Sequence, residues 1–260
     1  MKPPLTYYGG KQKLSQKILS LIPKHRLYCE PFFGGGAVFF AKHPAPVEVI
    51  NDTNGELINF YRVVKTQFRK LDKEIKCTLH SKEYHQAAKI VLGYPQLFSE
   101  VKRAWAIWTL ANQSFASMLD GTWRCDFKRS STPKRLVNKR MSFVEEYSKR
   151  LENVQIECRD ALNIIKIWDS KDAFFYCDPP YYNSDMGHYK GYTEQDFENL
   201  LEALSKIKGK FLLSSYPSEL IEKYTRKYKW HTQKIEGIPV SVSLGKHKMK
   251  TEVLTGNYEM

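Results

Sequence analysis

Cysteine is scarce in this sequence and shows no pairing pattern. The five cysteines are odd in number and scattered, and no C-x-x-C spacing occurs among them. This argues against a zinc ribbon and against a disulfide framework. Cys29 and Cys177 stand in apolar runs, which favours buried thiols. The seven histidines show no metal-ligand spacing, and we predict no metal.

Long apolar runs are missing as well. No stretch approaches the roughly 20 apolar residues that a membrane-spanning helix needs. The first residues, MKPPLTYYGGKQK, lack the apolar core of a signal peptide. We therefore expect a cytoplasmic protein with no membrane partner.

Acidic residues are outnumbered by basic ones. The chain of 260 residues has 28 acidic and 41 basic residues, and its formal net charge is +13. Such an excess attracts polyanions, of which nucleic acid is the commonest soluble one. A basic but otherwise ordinary enzyme can have the same composition, so the charge alone does not decide.

Strand and helix signals alternate in the first and last thirds of the chain. Four short apolar runs predict buried parallel strands, at 27–30, 47–51, 173–177 and 210–214. Asn54 can cap the helix that follows the second run. Later segments predict two helices and a closing antiparallel strand pair, at 194–207, 217–227, 231–235 and 251–255. This order predicts an α/β fold with a doubly wound sheet.

The middle of the chain has a different character. Long amphipathic stretches predict helices there. A polar, basic segment with glycine and proline follows at 119–139, and we predict a loop-rich structure for it. Strand alternation returns only at 154–158. We predict a catalytic domain of residues 1–66 and 151–260, and an inserted, mainly helical domain of residues 67–150.

The sharpest local signal is the run Asp178-Pro179-Pro180-Tyr181, which directly follows a predicted strand. The carboxyl end of a parallel strand is where open α/β sheets bind their ligands. The two prolines restrict the backbone and fix the neighbouring carbonyl groups. Taken alone, the run also fits a structural turn in which Asp178 caps a helix and Tyr181 packs in the core.

A glycine-rich loop follows the first predicted strand, in the run Glu30-Pro31-Phe32-Phe33-Gly34-Gly35-Gly36, and Asp52 follows the second strand. Glycine lets the backbone approach a nucleoside closely, and an acidic residue about 20 positions later can bind ribose hydroxyls. The dinucleotide fingerprint G-x-G-x-x-G is absent, so no pyrophosphate is implied. An ordinary turn and a helix cap are the alternatives for the glycines and for Asp52.

Together these blocks resemble the DNA adenine methyltransferases related to bacterial Dam, with the α-type order of motifs. The matching runs are Tyr7-Tyr8-Gly9-Gly10-Lys11, residues 30–36, Asn51-Asp52, Arg159-Asp160, residues 178–181 and residues 250–258. Tyr7 stands where relatives often have tryptophan. The resemblance covers most of the chain outside 67–150. It implies a doubly wound S-adenosylmethionine-dependent methyltransferase fold and methyl transfer to N6 of a flipped adenine in duplex DNA.

The resemblance also assigns cofactor-binding residues by position. The implied site for S-adenosyl-L-methionine comprises Tyr7, Lys11, Glu30, Phe32, Gly34, Gly36, Asp52, Asp160 and Asp178. Asp52 would take the ribose hydroxyls, and Asp160 would lie near the amino group of the cofactor's adenine. Without the family, Lys11 fits a solvated helix start and Asp160 a helix cap.

The implied catalytic residues are Asp178, Pro179, Pro180 and Tyr181, and the chemistry agrees with that assignment. The lone pair of the adenine amine is delocalised into the ring, so the nitrogen is a poor nucleophile. Hydrogen bonds from N6–H to the Asp178 carboxylate and the Pro179 carbonyl would localise this lone pair and direct it at a sulfonium methyl. Tyr181 would stack on the extruded base.

Basic residues crowd one stretch of the predicted inserted domain. The predicted DNA-binding residues are Trp123, Arg124, Lys128, Arg129, Lys134, Arg135 and Lys139. The basic side chains would bind phosphates, while Trp123, Phe127 and Phe115 could wedge or stack. A solvated loop is the alternative. The surrounding sequence matches the Dam pattern only loosely, so no target sequence is carried over.

Other functions stay open at this point. A cytosine-N4 methyltransferase is the nearest rival, and aspartate rather than serine before Pro-Pro-Tyr argues against it. An RNA adenine methyltransferase, a protein-glutamine methyltransferase and a non-catalytic DNA-binding module are further alternatives. The sequence leaves open the oligomeric state, and whether a cognate restriction endonuclease accompanies the enzyme.

Overall fold

The computed structural model describes residues 1–127, 130–183, 191–241 and 247–260. The chain divides into two compact units. The first unit consists of Met1–Ser20, Gly34–His43 and Asp52–Cys158. The second consists of Leu21–Phe33, Pro44–Asn51 and Arg159–Met260. The predicted inserted domain, 67–150, lies within the first unit, and its boundaries stay a prediction.

Among the residues that the structure describes, a mixed sheet of seven strands is the main β element. Its strands are β1 (Leu27–Glu30), β2 (Val47–Asn51), β3 (Val154–Glu157), β4 (Ala173–Cys177), β5 (Lys210–Ser215), β6 (His231–Ser241) and β7 (His247–Gly256). Six of them lie in the second unit, in the order β2-β1-β4-β5-β7-β6. β1 pairs parallel with β2 and β4, and β4 pairs parallel with β5. β7 pairs antiparallel with β5 and β6.

Helices alternate with strands β1 to β6 except between β2 and β3, where six α-helices follow one another. Within the described residues the helices are α1 (Ser15–Leu21), α2 (Ala37–Ala41), α3 (Gly55–Thr66), α4 (Phe68–Lys76), α5 (Lys82–Gly93), α6 (Glu100–Gln113), α7 (Ser131–Met141), α8 (Glu146–Leu151), α9 (Ala161–Trp168), α10 (Glu194–Leu204) and α11 (Glu219–Tyr228). The predicted α/β class is therefore confirmed.

The predicted strands are confirmed to within one residue, and the closing pair is antiparallel as expected, although β6 and β7 extend beyond the predicted stretches. The helices predicted at 194–207 and 217–227 are α10 and α11, with ends shifted by up to three residues. Asn54 caps α3, since its side-chain oxygen accepts hydrogen bonds from the Glu56 and Leu57 backbone N–H groups.

The loop-rich prediction for 119–139 was wrong in part, because α7 begins within that segment at Ser131. Pro133 lies in the first turn of the helix, where its missing N–H removes no intrahelical hydrogen bond. Leu136 is buried where α7 packs against α4 and α6. Asp126 supports the start of the helix, since its carboxylate accepts a hydrogen bond from the Ser131 N–H at 2.8 Å.

In the first unit, α6 is the central helix and packs against α3, α4 and α5. All ten of its residues from Ala104 to Gln113 are buried. Trp108 is fully buried, and truncating such a side chain to alanine typically costs about 3–5 kcal/mol. The Trp105 indole N–H donates to the Thr78 hydroxyl at 2.7 Å, so the polar atom of this buried ring is satisfied.

In the second unit, α9, α10 and α11 contribute to an apolar core against the sheet that includes Phe175 and Trp230. Cys29 and Cys177 are buried in this core, as predicted. The chain winds from β1 outward to β2 and later returns to β4 on the other side of β1. Ligands of open α/β sheets bind at such a switch point, outside the carboxyl ends of the strands.

Candidate active site

The run 178–181 lies at the carboxyl edge of the sheet, beside the switch point. It follows β4 directly, and the parallel neighbours β1 and β5 end at the same edge with Glu30 and Ser215. The following helix, α10, is capped by Thr193. The helix-cap alternative for Asp178 is therefore wrong.

The Tyr181 hydroxyl contacts three polar side chains. Its oxygen lies 3.1 Å from Asp178 Oδ1, 3.0 Å from Ser214 Oγ and 2.6 Å from Glu252 Oε1. Ser214 also donates a hydrogen bond to the same oxygen of Glu252. Burial raises the pKa of Tyr181 well above its ordinary value, and the charges of Asp178 and Glu252 raise it further. The phenol is therefore neutral at physiological pH and acts as a donor.

Tyr181 as a whole is only partly buried. Tyr216 meets it edge to face, with ring centroids 4.4 Å apart. Lys250 Nζ lies 4.3 Å from the centroid of the Tyr216 ring. These rings belong to a recess lined by Pro180, Tyr181, Tyr182, Asn183, Phe197, Ser215 and Tyr216. Tyr181 and Tyr216 are both partly exposed, and their rings offer a stacking surface for a planar base.

Glu30 ends β1 as a buried carboxylate with 1% of its surface exposed. Its Oε1 accepts a hydrogen bond from the Tyr28 hydroxyl at 2.6 Å. Burial and the charge of Glu30 both raise the pKa of Tyr28, so this phenol stays a donor. Tyr28 thereby fixes the carboxylate at the edge of the sheet.

Phe32 contacts Tyr192 edge to face at 6.5 Å between ring centroids. The Tyr192 hydroxyl is buried and has no hydrogen-bond partner among the described residues. Burial raises the pKa of Tyr192, and the charge of Asp160 adds to this effect. The site thus combines an aromatic ring, a carboxylate and a buried hydroxyl that lacks a described hydrogen-bond partner. Such a combination fits a nucleoside, because a polar atom of the nucleoside could form the hydrogen bond that the hydroxyl lacks.

Asp160 caps α9 in the structure. Its Oδ1 accepts hydrogen bonds from the backbone N–H groups of Leu162 and Asn163, at 3.0 and 3.2 Å. The helix-cap reading of this residue is confirmed. The role that the family resemblance gives to Asp160 stays a prediction.

In the first unit, the glycine loop is tied to Asp52. The Gly34 N–H donates to Asp52 Oδ2 at 2.9 Å, and the Asn54 N–H donates to Oδ1 at 2.9 Å. Because the cap of α3 is Asn54, the helix-cap alternative for Asp52 is wrong. Burial raises the pKa of Asp52, although its backbone hydrogen bonds oppose that shift. Gly34 itself has a left-handed φ of 48°, which favours glycine.

Tyr7 packs against the glycine loop. A Cβ atom at position 35 would lie 2.8 Å from the Tyr7 Cβ, so only glycine fits there. Burial raises the pKa of Tyr7, and the charge of Asp52 raises it further. Lys11 is 8% exposed, and its Nζ donates to the Gly9 carbonyl at 3.1 Å. The alternative of a solvated helix start is therefore wrong for Lys11.

The predicted DNA-binding residues fall into two groups in the first unit, while Lys128 and Arg129 lie outside the described residues. Lys134 and Arg135 are exposed on α7. Lys139 is half-buried. Burial lowers its pKa, and the charges of Arg135 and Lys2 lower it further. Phe127 is 93% exposed, which leaves this ring accessible to a partner.

Trp123 and Arg124 lie closer to the helices of that unit. The Trp123 ring lies 5.0 Å from the His80 ring. The guanidinium Nη2 of Arg124 donates to the Asn112 carbonyl at 3.3 Å. Burial lowers the pKa of Arg124, and the charge of Arg135 lowers it further. The positive charges of Arg124 and Arg135 therefore repel each other, and a bound anion would relieve this repulsion.

Sequence reasoning missed Ser214 and Tyr216 at the sheet edge, and it did not assign Lys250 and Glu252 to the site although both lie in the matching run 250–258. Ser214 and Tyr216 follow the same rule as Asp178, since they stand at the carboxyl end of a predicted strand beside β4. Glu252 carried a weaker signal, namely an acidic residue directly before an apolar strand segment.

Within residues 1–127, 130–183, 191–241 and 247–260, no three His, Cys, Asp or Glu side chains are grouped so that they could hold a metal. None of the helices in this described part of the chain has both the length and the apolar character that a membrane crossing requires.

A mixed sheet with an antiparallel end and acidic residues at its carboxyl edge fits an α/β methyltransferase. A family model described as D12 class N6 adenine-specific DNA methyltransferase matches residues 7–237. The chain belongs to this family. Adenine is therefore the methylated base and DNA the substrate.

Individual relatives agree with this assignment. Type II methyltransferase M1.LlaDCHI of Lactococcus lactis subsp. cremoris is 31% identical over 284 residues, which cover 99% of this chain and 96% of the relative. Type II methyltransferase M.MjaIII of Methanocaldococcus jannaschii is 29% identical over 224 residues, or 76% of each chain. DNA adenine methylase of Salmonella typhimurium is 25% identical over 281 residues, or 98% of this chain and 94% of the relative.

Proposed function

We propose that this enzyme transfers a methyl group from S-adenosyl-L-methionine to N6 of an adenine flipped out of duplex DNA at a specific site. The observation that carries the proposal is the placement of Asp178 directly after β4, at the carboxyl edge of the sheet beside the switch point.

In this proposal the run 178–181 binds the substrate amine. The Asp178 carboxylate and the Pro179 carbonyl accept hydrogen bonds from N6–H, which localises the nitrogen lone pair. Pro180 restricts the backbone so that both acceptors keep their orientation. The Tyr181 ring, partly exposed beside Tyr216, stacks on the flipped base.

Cofactor binding is proposed for residues of each unit on the basis of their own surroundings. In the first unit they are Tyr7, Lys11, Gly34, Gly36 and Asp52. The Asp52 carboxylate is held in place because it accepts hydrogen bonds from the backbone N–H groups of Gly34 and Asn54. In the second unit they are Glu30, Phe32, Asp160 and Asp178. The buried Tyr192 hydroxyl has no hydrogen-bond partner among the described residues, and a polar atom of the cofactor would provide one. S-adenosylmethionine supplies a methyl group already activated by its positive sulfur.

DNA binding is proposed for the predicted inserted domain, 67–150. The exposed Lys134 and Arg135 on α7 bind phosphates, and the exposed Phe127 ring contacts bases. Two of the relatives are named type II methyltransferases, which favours a restriction-modification role with a cognate endonuclease in the cytoplasm.

The test is methyl transfer to three acceptors of matched concentration: duplex DNA of mixed sequence, RNA of the same sequence, and a protein substrate. Purified enzyme with isotopically labelled S-adenosylmethionine should label duplex DNA, and nucleoside analysis should find N6-methyladenine. Label on RNA or protein without label on DNA, or N4-methylcytosine without N6-methyladenine, contradicts the proposal.

A further inference from the structure

A buried glutamate lies next to the catalytic run and has no role in the proposed function. Glu252 on β7 is 5% exposed. Its Oε1 accepts hydrogen bonds from the hydroxyls of Tyr181 and Ser214. A buried carboxylate is costly unless it is hydrogen-bonded, so these contacts account for how it is tolerated but not for why it is there.

The hydroxyl proton of Tyr181 gives a reason for a carboxylate at position 252. Tyr181 has a single hydroxyl proton, yet two carboxylates lie within reach of it, Glu252 at 2.6 Å and Asp178 at 3.1 Å. The shorter distance is typical of a strong charge-assisted O–H···O⁻ bond, and the longer one lies beyond the usual range for a hydroxyl donor. The geometry therefore directs the phenol proton to Glu252.

We infer that Glu252 is a positioning residue that accepts the Tyr181 proton and thereby keeps it off the Asp178 carboxylate. The inference rests on the proposed function, in which Asp178 accepts the N6–H group of the substrate. A phenol that donated to Asp178 would compete with the substrate amine and weaken the carboxylate as an acceptor. The same contact with Glu252 also sets the angle of the Tyr181 ring.

The first variant is Glu252→Gln, which preserves shape but replaces the charged acceptor with a neutral carbonyl. Asp178 then becomes the stronger acceptor, so the phenol proton moves towards it. We expect the single-turnover rate of methyl transfer to saturating duplex DNA to fall at least tenfold. The Kd for DNA, the Kd for S-adenosylhomocysteine and the Tm should stay close to wild type. Glu236→Gln, at an exposed position on β6, is the matched control and should behave as wild type.

Tyr181→Phe distinguishes this role from simple support of the fold, because it removes the proton itself. In the Tyr181→Phe background, Glu252→Gln should reduce the rate by less than about twofold further, since no proton remains to be redirected. A residue that only supports the fold would lower the Tm and reduce the rate equally in both backgrounds. If Glu252→Gln fails to fold, Glu252→Asp moves the charge away from Tyr181 and serves in the same cycle.

The outcomes separate the two proposals. A wild-type enzyme that forms no N6-methyladenine contradicts the proposed function and this inference with it. An active wild type with an unchanged rate for Glu252→Gln contradicts the role of Glu252 alone. The role of Glu252 is also contradicted if Glu252→Gln reduces the rate by the same factor in the wild-type and the Tyr181→Phe backgrounds.

Discussion

The Tyr181 hydroxyl donates to Glu252 Oε1 across 2.6 Å, although 71 residues separate the two in sequence. This bond joins the turn after β4 to the antiparallel strand β7, with Ser214 of β5 bonded to both residues. The polar side chains next to Asp178 therefore come from the turn after β4 and from two strands, β5 and β7. A turn supported in this way is held in one geometry, which suits a site that acts by positioning its substrate.

Asp178→Ala tests the catalytic carboxylate. We expect transfer to fall by at least a thousandfold, because the amine loses its charged acceptor, while the Kd for duplex DNA changes less than threefold. Asp172→Ala, at an exposed position before β4, is the control. Rates from labelled cofactor and affinities from filter binding check both expectations, and wild-type turnover by Asp178→Ala would remove Asp178 from the mechanism.

Asp52→Ala tests the cofactor role of the glycine loop. The substitution removes the acceptor of the Gly34 and Asn54 N–H groups together with the proposed ribose contact. We expect S-adenosylhomocysteine to bind at least tenfold more weakly in isothermal titration calorimetry. Asp120→Ala, at an exposed position of the same unit, should bind it normally. Unchanged affinity for Asp52→Ala rules out the ribose contact.

A double replacement of Lys134 and Arg135 by glutamine tests the DNA contact of α7. Each lost phosphate contact should reduce the slope of log K against log salt concentration by about 0.9. Replacing the exposed Lys166 and Lys171 of the other unit removes the same charge and is the control. Equal slopes for the two double variants would place α7 outside the DNA interface.

Gly35→Ala tests the packing of Tyr7 on the glycine loop. The new Cβ would lie 2.8 Å from the Tyr7 Cβ, so the free energy of unfolding should fall by about 1–3 kcal/mol. Gly93→Ala places a methyl group in open space at the end of α5 and should instead stabilise by up to about 1 kcal/mol. Urea titration measures both changes. A Gly35→Ala variant as stable as wild type would contradict the prediction, because the loop would then accommodate the methyl group without cost.

Thiol reactivity tests the core of the second unit. Burial raises the pKa of Cys177, and Cys29 is also buried, whereas Cys77, Cys125 and Cys158 are exposed. We expect a thiol-specific reagent to modify three cysteines of the native protein quickly and the other two only after unfolding. Rapid modification of Cys177 would contradict its placement in the core.

The sequence predicted the sheet edge because short buried strands have strong local signals. The strand before Asp178 is uniformly apolar, and the glycines and Asp52 follow two further strands of the same kind. The doubly wound order then brings the ends of parallel strands together by topology alone. The hydrogen bond from the Gly34 N–H to the Asp52 carboxylate agrees with that expectation.

The role of Glu252 could not be predicted in this way. The side of a strand that a residue faces depends on register, and its partners Tyr181 and Ser214 lie 71 and 38 residues away. α7 was missed for a local reason, because segment 119–139 was interpreted as a loop from its polar residues, glycine and proline, whereas proline is tolerated in the first turn of a helix, where Pro133 stands.

Mapping of modified bases in DNA tests the central claim most directly. Cells that lack other adenine methyltransferases should express either the wild-type protein or Asp178→Ala, and their DNA should be sequenced with detection of modified bases. We expect N6-methyladenine within one defined sequence context for wild type and none for Asp178→Ala. Modified cytosine instead of adenine, or the same adenine pattern with both proteins, would contradict the account.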